Sequence, residues 1–125
     1  MWAYRYGLSV ASHYGAMLLV QHVVELWRHP CAEFTTSPGQ YDKFCRALCG
    51  KGEMELQQLM KRYQRSDVRA ERIVQQGMVP DSILASAEEQ KVDLIVMGTH
   101  GRRGLDRLML GSATEQVMRK HCAQF

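Results

Sequence analysis

The strongest constraint on the fold is a switch in apolar period along the chain. Two short runs are almost continuously apolar, Ala16-Met17-Leu18-Leu19-Val20-Gln21-His22-Val23-Val24 and Asp93-Leu94-Ile95-Val96-Met97. Strands buried on both faces of a parallel sheet have this pattern. Around them, apolar residues recur at helical spacing. Tyr6, Val10 and Tyr14 lay out a stripe over residues 2–14, and Gly15 is a natural stop. A second helical pattern runs from Gln40 to Tyr63, carried by Phe44 and Leu48 and then by Leu56, Leu59, Met60 and Tyr63. Gly50 and Gly52 are expected to kink or divide it. Val68 to Val74 alternates weakly, as suits a strand nearer a sheet edge. Gly77 marks a turn, and Pro80 falls in the first turn of a short helix over 80–90 that buries Ile83, Leu84 and Ala87. A last helix covers 112–122 with Val117, Met118, His121 and Cys122 inward. The order α-β-α-β-α-β-α predicts a doubly wound α/β domain, its parallel strands joined by right-handed crossovers.

A length of 125 residues fits one domain, residues 1–125. A chain of that size buries roughly two-thirds of its unfolded surface, enough to fold without a disulfide or a metal. The composition is 46% hydrophobic and 23% charged, which excludes a disordered chain. The apolar runs are far too short to cross a bilayer, so no membrane partner is expected. The first residues, Met1-Trp2-Ala3-Tyr4-Arg5, lack the pattern of a targeting segment, and a cytoplasmic location is expected. The four cysteines, Cys31, Cys45, Cys49 and Cys122, match no zinc spacing. On a helix Cys45 and Cys49 would share one face, and they read as reduced, partly buried thiols.

The net charge of +3 is concentrated. Between Gly98 and Lys120 stand Arg102, Arg103, Arg107, Arg119 and Lys120 against Asp106 and Glu115, and the rest of the chain balances. A basic loop suggests an anionic ligand. A nucleic acid is not expected, because the excess is modest and the loop has no interleaved aromatics.

That loop follows the second apolar run and enters a helix. Open α/β sheets bind ligands at such a place. Its glycines let backbone N–H groups approach phosphate oxygens, and the helix N-terminus adds orphan donors and partial positive charge. Ser112 and Glu115 form an S-x-x-E capping box, so Ser112 is placed to cap the helix, to bind phosphate, or both. The spacing is Gly98-x2-Gly101-x9-Gly111-Ser112, which is neither the P-loop nor the dinucleotide fingerprint. No catalytic constellation accompanies it: the sequence shows neither paired carboxylates beside the loop nor a serine–histidine–acid set. Any hydrolysis of a bound phosphate compound is expected to be slow.

This spacing resembles the ATP-binding signature of the universal stress protein family. Asp93 to Gly101 is similar to that family's fourth strand and loop, Gly77 to Ala87 to its third helix, and His22-Val23-Val24 to the end of its second strand. The resemblance covers nearly the whole chain. It implies a Rossmann-like (adenine nucleotide alpha hydrolase-like) parallel sheet with flanking helices, in a stress-response protein that binds ATP, with or without Mg, and forms a dimer. Carried over, Gly98, Gly101, Gly111 and Ser112 would line the triphosphate and ribose, with Ala113 and Thr114 at the helix start. Met97 and Val23 would lie near the adenine. Charge, rather than the resemblance, adds Arg102 and Arg103 as phosphate-screening candidates.

The chain departs from that pattern at both ends. The family's opening strand, which supplies an aspartate near adenine and ribose, and its closing fifth strand have no counterpart here. The expectation is a sheet lacking its first and last strands, with self-association as a dimer or by strand exchange. The alternative function is a non-nucleotide-binding interaction or dimerisation module of the same family.

Overall fold

A computed structural model describes residues 2–25, 37–98 and 112–122, with only the backbone of Ser112, Ala113, His121 and Cys122. Its elements follow the order α1 (Trp2–Tyr14), β1 (Leu18–Val24), α2 (Pro38–Arg62), β2 (Ala70–Gln76), α3 (Val79–Glu89) and α4 (Ser112–Cys122). The two strands pair in parallel, from Leu18 opposite Ala70 to Val24 opposite Gln76. The alternation of side chains along β1 sends successive residues to opposite faces. Leu18, His22 and Val24 face α1 and α2, where Leu18 lies against Gly7 and His22 against Gly52. Gln21 faces α3, where its amide donates to Ser86 Oγ over 2.9 Å. Helices therefore flank both faces of a parallel sheet.

Local signals place the element ends well. Gly15 stops α1 in the left-handed region, φ +61°, which costs glycine least. Ser37 caps α2 by accepting from the Gln40 amide, with Pro38 at the helix start. Pro80 occupies the first turn of α3, as its ring predicts. The core is a small cluster around Val24 and Cys45, with Phe44, Leu48, Cys49 and Val74 packed on it.

Several expectations need correction. Asp93–Met97 forms no strand among the described residues, where the sheet has two strands. Leu94 is 60% exposed, while Ile95, Val96 and Met97 are half-buried. Apolar continuity signals a preference for burial, whereas a strand also needs an aligned neighbour. Helix α2 runs unbroken through Gly50 and Gly52. Gly52 is there because His22 occupies the space a Cβ would need. In α1 the buried residues are Tyr4, Gly7, Leu8 and Ala11; of the expected stripe, Tyr6 and Tyr14 are 63% and 76% exposed and Val10 is half-buried. In α3, Pro80 and Ser86 are buried and Ile83, Leu84 and Ala87 only half so. Val117 of α4 is buried as expected, but Met118 is 53% exposed; the side chains of His121 and Cys122 lie outside the description. Cys45 and Cys49 are free thiols, one buried and one half-buried; Cys31 lies outside the described residues.

Candidate functional site

The motif begins where the 94–98 segment ends and finishes in the first turn of α4. Thr114 Oγ1 donates to the Gly98 carbonyl oxygen over 2.8 Å. Thr114 is buried, so this bond is shielded from water. It fixes the N-terminal turn of α4 against the residue that opens the loop. The first turn of a helix leaves four N–H groups without intrahelical acceptors, together with a partial positive charge. A group anchored at Gly98 therefore faces a natural anion site.

The expected site residues divide into three sets. Gly98 and Thr114 are joined directly, with Met97, half-buried, preceding them. Ser112 and Ala113 form the start of α4, described in backbone only. Val23 sits one residue from the C-terminal end of β1, half-buried, on the sheet face that carries Gln21. Gly101, Arg102, Arg103 and Gly111 lie outside the described residues.

The charges near α4 are largely matched. Arg119 pairs with Glu115 over 2.5 Å, one turn apart. Lys120 pairs with Asp81 and ties α4 to α3. Two of the basic residues counted toward an anionic ligand thus serve ion pairs between and along helices. The Glu115 carboxylate, close to the α4 N-terminus, is countered by its own arginine.

Sequence reasoning missed Glu25. Its Oε1 accepts from the Val79 amide over 3.1 Å, at the N-terminus of α3. Met78, at the N-cap of α3, makes no side-chain cap bond, so β1 supplies the acceptor from its C-terminal end. A carboxylate of the chain itself thus holds the start of α3. The signal in the sequence was faint: an acid directly after an apolar strand, and a following helix with no Ser, Thr, Asp or Asn before its proline.

No group of three or more His, Cys, Asp or Glu capable of holding a metal occurs among the described residues. No helix among them is long and apolar enough to cross a membrane.

A profile described as the Universal stress protein family matches residues 2–121. Universal stress protein MJ0531 of Methanocaldococcus jannaschii is 29% identical over 123 residues, covering 96% of this chain and 69% of that protein. Universal stress protein MJ0577 of the same organism is 30% identical over 73 residues, covering 58% of this chain and 45% of that protein. The solved structure of MJ0577 superimposes with a TM-score of 0.69 at 21% identity, covering 91% of this chain and 81% of that one. The universal stress protein UspA from Lactobacillus plantarum gives 0.63 at 21% identity, covering 94% of this chain and 80% of that one. At these identities the two structures establish the fold.

Proposed function

The chain belongs to the universal stress protein family, and from that premise we propose that it binds an adenine nucleotide, ATP with or without Mg²⁺, at the loop between Gly98 and α4. The observation that carries the proposal is the Gly98–Thr114 bond, which joins the first residue of the Gly98-x2-Gly101-x9-Gly111-Ser112 motif to the helical turn that follows the motif. The residues fit a phosphate: a helix start, whose first N–H groups have no intrahelical acceptor, glycines that admit close approach, and a neighbouring Glu115 already matched by Arg119. Gly98, Gly101, Gly111 and Ser112 would hold phosphates and ribose, with Ala113 and Thr114 behind them. Arg102 and Arg103 would screen phosphate charge, and Met97 and Val23 would border the base.

The test is direct. Denaturing the purified protein should release a nucleotide, and millimolar Mg-ATP should raise the melting temperature. Gly101→Val should abolish that rise. Neither released nucleotide nor a shift would leave the second reading, a non-binding interaction module. We also propose self-association as a homodimer. In support, β1 pairs with β2 on one side and has no partner strand on the other among the described residues. Size-exclusion chromatography with light scattering reads the mass; a monomer at all concentrations rejects this part.

A further inference from the structure

The outer surface of α1 is unlike a solvated helix face. Solvent-facing helical surfaces carry charged residues, yet Trp2–Tyr14 contains no Asp, Glu or Lys. The row at every fourth position, Trp2, Tyr6, Val10 and Tyr14, is apolar or aromatic throughout. Trp2 is 86% exposed, Tyr6 and Tyr14 follow at 63% and 76%, and Val10 is half-buried. The centres of protein interfaces are enriched in Trp and Tyr and depleted in Lys, Glu and Asp, which is the composition of this row.

The face is also held in place. Tyr4, Gly7, Leu8 and Ala11 are buried on the other side of α1, where Leu18 lies against Gly7. The Tyr4 ring meets Tyr63 edge-on at 6.5 Å, and the Arg5 guanidinium lies over the same Tyr63 ring at 5.5 Å. The His13 ring stands edge-on to Tyr14 at 4.8 Å. A surface anchored in this way loses little freedom on association. An aromatic side chain carries roughly 150–250 Å² of surface, so the three exposed rings offer about 450 Å² per copy and about 900 Å² in a pair. Val10 and the stems of Arg5 and His13 carry the total to about 1,000 Å², where specific association begins.

The row itself selects the occupant. Each four-residue step rises about 6 Å, so Trp2 and Tyr14 stand about 18 Å apart, with a ring at both ends. A second α1 laid antiparallel, with the twofold axis level with Leu8, sets Trp2 against Tyr14 of the partner subunit and Tyr6 against Val10 of the partner subunit. The twofold makes each contact twice. Arg5 and His13 lie on the neighbouring row with exposed Ser9, so the seam itself buries no charge.

We propose that the exposed row of α1 is a docking surface for a second copy of this chain, joined by an antiparallel, twofold α1–α1 contact. This rests on the self-association proposed above and names a surface for it other than the β1 edge.

The experiment measures the mass of the full chain by sedimentation equilibrium over a range of concentrations. Trp2→Glu and Tyr14→Lys replace exposed side chains, so the urea midpoint of each should match wild type. Each alone should raise the dimer dissociation constant roughly tenfold or more. An equimolar mixture of the two should regain dimer: one end of the mixed pair opposes the new carboxylate to the new ammonium, and the other keeps the native Trp2–Tyr14 contact. A wild-type dimer that neither substitution weakens overturns the α1 surface and leaves self-association standing. Loss of dimer without recovery on mixing overturns the antiparallel pairing, and with it the proposal. A wild-type chain that is monomeric at every concentration rejects both this surface and the homodimer. Should that monomer bind vesicles of phosphatidylglycerol and phosphatidylcholine, and Trp2→Glu abolish the binding, the face belongs to a lipid surface and the proposal fails.

Discussion

Thr114 and Gly98 are sixteen residues apart, yet the hydroxyl of one donates to the carbonyl of the other over 2.8 Å. The bond joins the residue before the candidate phosphate loop to the first turn of α4. Thr114→Val keeps the shape and removes the donor, leaving a shielded carbonyl unsatisfied. The expected cost is about 1–3 kcal/mol of stability, read from urea unfolding. Thr114→Ser should recover most of it. If the loop binds nucleotide, Thr114→Val should also weaken Mg-ATP affinity while Thr114→Ser does not.

This bond shows what the sequence carried and what it did not. The glycine spacing and the helix start at Ser112 could be read directly, because turns and caps are local chemistry. That Thr114 would reach back to Gly98 could not, because a threonine in a first helical turn has many possible acceptors. The same division runs through the fold. Gly15 and Pro80 placed element ends correctly, whereas the Ser37 cap was not read and the helix expected from Gln40 begins at Pro38. The Tyr6–Val10–Tyr14 stripe misled, because Gly7 and Ala11 mark the packing face of α1 by being small. Leu94 to Met97 read as a strand because hydropathy gives only a preference for burial and is silent about pairing. Glu25 escaped notice because its helix lies more than fifty residues downstream.

The Gln21–Ser86 contact predicts a coupling between sheet and helix. Gln21 Nε2 donates to Ser86 Oγ over 2.9 Å, and Ser86 Oγ donates to Gln75 Oε1 over 3.3 Å. Ser86 is buried, so its hydroxyl has little water to fall back on. Ser86→Ala should cost about 1 kcal/mol, and Gln21→Leu somewhat more, since it removes the donor to Ser86 Oγ, to Gln75 Oε1 and to the Ser82 carbonyl. The double variant should cost clearly less than the two single costs added. A double-mutant cycle in urea checks this, and strict additivity would mean the bond carries no coupling.

Two glycines in one helix predict opposite signs. A Cβ at Gly50 would meet nothing within 4 Å, and the position is exposed. Gly50→Ala should stabilise by about 0.5–1 kcal/mol through helix propensity. A Cβ at Gly52 would fall 2.8 Å from His22 Cδ2 and 3.5 Å from Val74 Cγ1. The same propensity gain is offset there by overpacking, which costs about 1–3 kcal/mol. Gly52→Ala should therefore be neutral to destabilising, and thermal melts should rank Gly50→Ala above wild type and Gly52→Ala no higher than wild type.

Asp67 predicts a pH dependence. It joins the end of α1 to the approach to β2: Ser12 Oγ donates to its Oδ2, and Arg65 Nε donates to its Oδ1 over 3.0 Å. The Ser12 hydroxyl first, and then the Arg65 guanidinium, hold its pKa below the ordinary carboxylate value. A carboxylate with a lowered folded pKa binds its proton more readily in the unfolded chain. Its contribution is fully present above the unfolded pKa, near 4, and is lost as pH falls through the folded value. The gap in stability between wild type and Asp67→Asn should hence be constant from about pH 5 to 7 and shrink below pH 4. Urea midpoints of both proteins across that range measure it. A gap that stays level down to the acid limit would show that the Ser12–Asp67–Arg65 contact does not depend on the carboxylate charge.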